Sequence, residues 1–221
     1  MVLRLPTMFK QLGFLVFLLF IYLACPAQGE WVLKSDKDDI KTYNRSVVDS
    51  KLNAVKIETV FTASLSQFVS VLQDVGSYDK WVYGSRSTRL LKEVSPSELV
   101  YYSEVDFPWP TTDRDFVSHV IISHDAQTHT VHVNAKNVQG WVPVKSKIVR
   151  IERSSGDWTI TSLANGRIKV EYILQVDPGG DLPAWIINSF SSKGVVETFK
   201  NLREWIKKPG YANARPSFIT D

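Results

Sequence analysis

Residues 167–208 read RIKVEYILQVDPGGDLPAWIINSFSSKGVVETFKNLREWIKK, and the change of period inside them decides the fold. Ile168, Val170, Tyr172, Leu174 and Val176 fall on one face, with Lys169, Glu171 and Gln175 on the other. That two-residue alternation is the pattern of a half-buried strand. Asp177-Pro178-Gly179-Gly180 interrupts it. Proline fixes its own φ and glycine accepts φ of either sign, so the four read as a turn. Beyond it the period becomes helical. Leu182, Ile186, Phe190, Phe199, Leu202 and Ile206 make a stripe, widened by Trp185, Val195 and Trp205. Pro183 suits the first turn of this helix, and Pro209-Gly210 stops it after about Lys208. At 1.5 Å per residue the helix is roughly 37 Å long. An apolar face of that length needs a wide apolar partner, although Gly194 in its middle costs ~1 kcal/mol relative to alanine.

The partner lies upstream. Trp31 to Val47 reads as a short strand pair about a polar turn at Asp36 to Asp39. Asn53 to Phe61 alternates as a strand. Ser64 can cap a helix, with Gln67 three residues on as in a capping box; Leu65, Phe68, Val69, Leu72 and Val75 follow at helical spacing, and Gly76 ends it. Strands are then expected at Leu99 to Phe107, Asp115 to Ser123, Thr130 to Asn137 and Lys145 to Arg153. Trp158 to Leu163 and Arg167 to Val176 form a hairpin about Ala164-Asn165-Gly166, where Asn-Gly is a strong turn signal. The expected fold is α+β: a curved antiparallel β-sheet wrapped around a long C-terminal α-helix. A straight helix against a concave sheet leaves an internal cavity between them.

The first 29 residues have a different character. Arg4 and Lys10 precede an almost wholly apolar run, Leu12 to Ala24, too short for a comfortable membrane span and suited to the core of a signal peptide. Cleavage is expected after Ala27 or Gly29, leaving one domain over residues 30–221 that is periplasmic or secreted. An uncleaved anchor and a lipidated Cys25 are the other readings, though Tyr22 and Leu23 fit a lipobox poorly. Cys25 is the only cysteine, so the mature chain would hold no disulfide, no cysteine metal site and no thiol nucleophile. Its core must hold it together, and the 44% hydrophobic content is enough to supply one. A net charge of +3, with no basic run interleaved with aromatics, argues against nucleic acid as a partner.

Three stretches resemble the START family of lipid-transfer domains. They are Trp109-Pro110-Thr111-Thr112-Asp113-Arg114-Asp115-Phe116-Val117, Gly140-Trp141-Val142-Pro143, and Val176 to Asn188 through the Asp-Pro-Gly-Gly turn. The resemblance runs from about Trp31 to Lys208. It implies the helix-grip fold, an internal cavity for one lipid or sterol, and no catalytic machinery. Sterol-binding members carry a buried acid and base on neighbouring strands. Glu104 lies at the acid position, but Val120 stands where the base would be. A carboxylate sealed alone in an apolar cavity would protonate.

The expected ligand-binding wall comprises Trp81, Tyr102, Glu104, Phe116, Val120, Trp141, Tyr172, Trp185, Ile186 and Phe190. Strand parity places Tyr102 with Glu104 and Phe116 with Val120. Gly179 and Gly180 are the expected gating hinge, with the loop from Phe107 to Asp113 as the competing gate. The indole of Pro108-Trp109-Pro110 suits a transient membrane-surface contact. Arg114 and Asp115 read first as a structural pair that fixes a turn. The four histidines lie between positions 119 and 132, but His124 falls at a turn, and His129 and His132 have opposite strand parity. No metal, cofactor or catalytic residue is therefore expected, and the chain is expected to be a monomer whose partner is a lipid or other hydrophobic ligand. Two other classes stay open. One is a cyclase- or hydratase-like enzyme using Glu104 and Tyr102 in the same cavity; the other is an interaction module with a filled core.

Overall fold

A computed structural model of the chain describes residues 29–47, 52–180 and 182–221. Nearly all of the expected signal segment, and its cleavage points apart from Gly29, lie outside them. Among the described residues ten strands form one sheet: β1 Val32–Lys37, β2 Ile40–Ser46, β3 Asn53–Thr62, β4 Ser85–Ser95, β5 Glu98–Val105, β6 Arg114–Asp125, β7 Thr130–Asn137, β8 Val149–Arg150, β9 Arg153–Leu163 and β10 Arg167–Asp177. The order across the sheet is β1-β2-β3-β10-β9-β7-β6-β5-β4, antiparallel throughout, with β8 pairing β6 in parallel off this path. The sheet is curved and open. Its inner face holds helix α1, Leu65–Gln73, and the long helix α3, Ala184–Trp205; the one-turn helices α2, Tyr78–Trp81, and α4, Pro209–Ala212, flank them.

The local signals act as their chemistry requires. Ser64 Oγ accepts the Gln67 N–H at 3.2 Å and caps α1. The other half of the capping box is not made, because Gln67 Nε2 donates at 2.8 Å to the carbonyl of Ile206 at the end of α3. Asn165 and Gly166 both take positive φ, as the β9–β10 hairpin demands. The core forms where α1 and α3 meet the sheet: Phe68, Phe199, Leu202, Ile57, Ile160 and Ile168 are all essentially inaccessible.

Two elements differ from the sequence reading. Strand β4 was not legible. It is an edge strand, largely exposed, with three register shifts against β5 and Arg86, Arg89 and Lys92 along it. Bulges and edge charges erase the alternation that would announce it. The strand expected over Lys145 to Arg153 shrinks to the two residues of β8, and β9 begins at Arg153. The chain after Asn137 instead crosses the outer face of β5 and β6.

The candidate ligand cavity

Between the concave sheet and α3 lies a cavity of about 250 Å³. Its wall is built strand by strand from alternate residues: Tyr101, Ser103 and Val105 of β5, Phe116 and Val120 of β6, Val133 and Ala135 of β7. Trp158 of β9 and Tyr172, Leu174 and Val176 of β10 continue it, and α3 contributes Ile187, Gly194, Val195 and Thr198. Trp81 closes the wall beside Tyr78 at 5.1 Å between rings, and Trp158 lies 4.1 Å from Tyr172 and 5.4 Å from Phe199. Among the described residues, no Asp, Glu, His, Lys or Arg lines the cavity. Three buried phenols in the wall are held neutral by desolvation: burial pushes Tyr101 up to about 12, with a hydrogen bond to Ser118 opposing, and raises Tyr78 and Tyr172 as well.

The structure brings Trp81, Phe116, Val120 and Tyr172 together on the cavity wall. Trp185 and Phe190 belong to α3, but their side chains lie outside the described residues. The other four lining residues need correction. Ile186 is not on the wall; Ile187 is. The phase of α3 is set by Val195 and Phe199, and Ile186 precedes Val195 by nine residues, which is two and a half turns. Tyr102 and Glu104 are on the opposite face of β5 from Tyr101 and Ser103. There Tyr102 packs with Val100 and Val117 under Leu91, Val138 and Val142. Because the chain following Asn137 covers this outer face, β5 is apolar on both sides and its parity carried no direction. Trp141 lies in that covering segment. Its neighbour Val142 takes the half-buried position against the cluster, and Trp141 is left exposed.

The outer face is held by charge. Asp115 is fully buried, and Arg150 meets it with two nitrogens, Nε at 2.6 Å and Nη2 at 3.0 Å. The same guanidinium donates to the carbonyls of Val142 and Pro143, fixing the covering loop. The Tyr102 hydroxyl sits 2.9 Å from Glu104 Oε1 and 3.0 Å from Asp115 Oδ2. Glu104 is not a sealed neutral acid. A hydrogen bond from the Lys145 ammonium, outweighing desolvation, holds its carboxyl below the usual range.

Arg114, one residue from Asp115, points the other way and is 2% exposed. Nε donates to the Pro178 carbonyl at 3.3 Å, Nη2 to the Gly179 carbonyl at 3.2 Å, and Nη1 to the Thr112 carbonyl. The expected turn-fixing role of the Arg-Asp pair is thus divided: Arg114 holds the Asp-Pro-Gly-Gly turn, and Asp115 holds the covering loop. Gly179 and Gly180 have φ of +65° and +70°, a region where a side chain would be strained.

The START domain pattern matches residues 18–210 of the chain. An uncharacterized protein of Pseudomonas aeruginosa is 31% identical over 179 residues, covering 81% of this chain and 88% of that one. The phosphatidylcholine transfer protein of Bos taurus is 24% identical over 176 residues, covering 78% and 82%. Among solved structures, a STAR-related lipid transfer protein of Xanthomonas axonopodis superposes with a TM-score of 0.75 at 29% identity, covering 80% of this chain and 99% of that one. A Streptomyces aromatase/cyclase shares the fold alone, with a TM-score of 0.52 at 14% identity, covering 70% and 93%.

Proposed function

The chain belongs to the START domain family, and from that premise we propose that it binds one lipid or similar hydrophobic small molecule in the cavity, for transport or sensing, without reacting with it. The observation that carries this reading is the wall itself: aromatic and aliphatic, with hydroxyls but no fixed charge among its described residues. Such a wall suits hydrocarbon with at most a neutral polar group, because an ion brought there would lose its hydration without gaining a counterion.

The enzymatic reading loses its candidates, since Tyr102 and Glu104 lie across the sheet from the cavity and are engaged with Asp115 and Lys145. The interaction-module reading required a filled core, and the space beside Tyr172 and Val120 argues against it. The apolar run from Leu12 to Ala24 supports export, with a mature chain beginning at Gln28 or Glu30. Intact mass of the natively expressed protein tests that, and a retained Met1 would exclude it. Trp109, 92% exposed at the tip of its loop, supports a transient contact with a membrane surface.

Titration with the uncharged fluorophore Nile red tests the binding reading. Saturable enhancement at one site per chain, reversed by a diacyl lipid, is expected. Enhancement that neither saturates nor reverses in folded protein would rule it out.

A further inference from the structure

Two segments border the same end of the cavity: the loop 107–113, through Phe107, and the turn Asp177–Gly180, through Pro178. Each alone could admit a ligand. We infer that Arg114 couples them, so that loop and turn open as one gate; this rests on the proposed entry of a ligand into the cavity.

The argument begins with how the end of α3 is fixed. Its C-terminal half is tied down: Thr198 Oγ1 accepts the Tyr83 N–H at 3.0 Å, Asn201 Nδ2 donates to the Trp81 carbonyl at 3.2 Å, and Arg203 Nη2 donates to Thr59 Oγ1 at 2.6 Å. Gly194 allows Tyr83 to approach, since a Cβ there would stand 3.0 Å from the Tyr83 ring. Movement of the helix must therefore start at its other end, where the glycines of the turn are.

Arg114 holds that end. Its guanidinium reaches both segments at once. On the turn it bonds the carbonyls of Pro178 and Gly179; on the loop it bonds the Thr112 carbonyl and lies 4.6 Å from the centre of the Phe107 ring. A second bridge runs parallel to it. The Val149 N–H donates to the Asp113 carbonyl at 3.0 Å, and Val149 Cγ1 lies 3.4 Å from where a Cβ on Gly179 would be. The loop itself moves as a unit, because Asp113 Oδ1 accepts the Phe107 N–H at 3.1 Å and closes it. If the turn departed alone, a buried cation would lose two of its carbonyl acceptors where water is scarce; if the loop departed alone, it would lose the Thr112 carbonyl and the Phe107 ring. Motion of both segments together lets water reach the guanidinium as the carbonyls leave it.

Amide hydrogen exchange of the full chain tests this, with and without Nile red. In the wild-type protein, protection over 107–113 and over 177–187 is expected to agree within about threefold and to rise in parallel as Nile red binds. Arg114→Lys keeps the charge, but a single ammonium cannot span both segments. In that variant the two protections are expected to separate by about tenfold or more, and Nile red uptake in stopped flow to accelerate about fivefold. A folded variant whose segments still respond together, with unchanged uptake, overturns the inference. So does a wild-type protein whose two segments respond independently, a result that needs no variant to fold. If Nile red binds neither protein, the functional reading fails, and exchange in the ligand-free chains still decides the coupling.

Discussion

Strand β5 is buried on both faces, but its two sides are built from different chemistry. Inward, Tyr101, Ser103 and Val105 face a space that contains no fixed charge among the described residues. Outward, Val100 and Tyr102 lie in a small apolar cluster closed by Asp115, Arg150, Glu104 and Lys145. The inner face leaves room and keeps its hydroxyls neutral. The outer face is packed by Val100, Tyr102 and Val117 and is locked by an ion pair whose carboxylate is wholly buried. Determinants of binding and of stability therefore stand on opposite sides of the same strand, and substitution can separate them.

The largest expected effect is on the outer side. Asp115→Asn leaves the Arg150 guanidinium without its counterion and should cost about 3–5 kcal/mol in urea denaturation. The folded fraction should bind Nile red within about threefold of wild type, since no cavity contact is lost. Tyr102→Ala comes next. It empties a buried site and should cost about 3 kcal/mol, again with affinity nearly unchanged. A selective loss of affinity in either variant would break the division between the faces. The inner face should respond in the opposite sense. Ala135→Phe fills cavity space and should weaken Nile red at least tenfold, about 1.4 kcal/mol, while changing stability by less than about 1.5 kcal/mol. The smallest effect concerns pH. Lys145 lowers the folded-state pKa of Glu104, so this pair contributes stability above the unfolded value near 4.5 and loses it as pH falls through the folded value. Glu104→Gln should thus cost less than about 1 kcal/mol at pH 7, and that cost should be smaller at about pH 3. An equal cost at both pH values would mean that the ion pair contributes nothing.

The same contrast marks where the sequence could be read. Strand β10 has polar residues on one face only, so its alternation alone puts Tyr172, Leu174 and Val176 on one side, and that side lines the cavity. In β5 the run Leu99-Val100-Tyr101-Tyr102 offers apolar groups to both sides. Its inward face depends on a covering loop some forty residues later, which no local period encodes. The turn and the start of α3 were legible because proline and glycine act locally. The purpose of Arg114 was legible only in outline, since its acceptors Pro178 and Gly179 lie 64 and 65 residues away. The inward residues Ser103, Trp158 and Ala135 were missed, although each follows by parity once one residue of its strand is fixed.

The central claim is that this cavity holds a lipid, and native mass spectrometry tests it most directly. The protein would be incubated with phosphatidylcholine vesicles containing diacylglycerol, re-isolated without detergent, and sprayed folded. One lipid per chain, retained by Tyr102→Ala and largely lost in Ala135→Phe, is the predicted result. A folded wild-type chain found only at its bare mass, or lipid carried equally by Ala135→Phe, would contradict it.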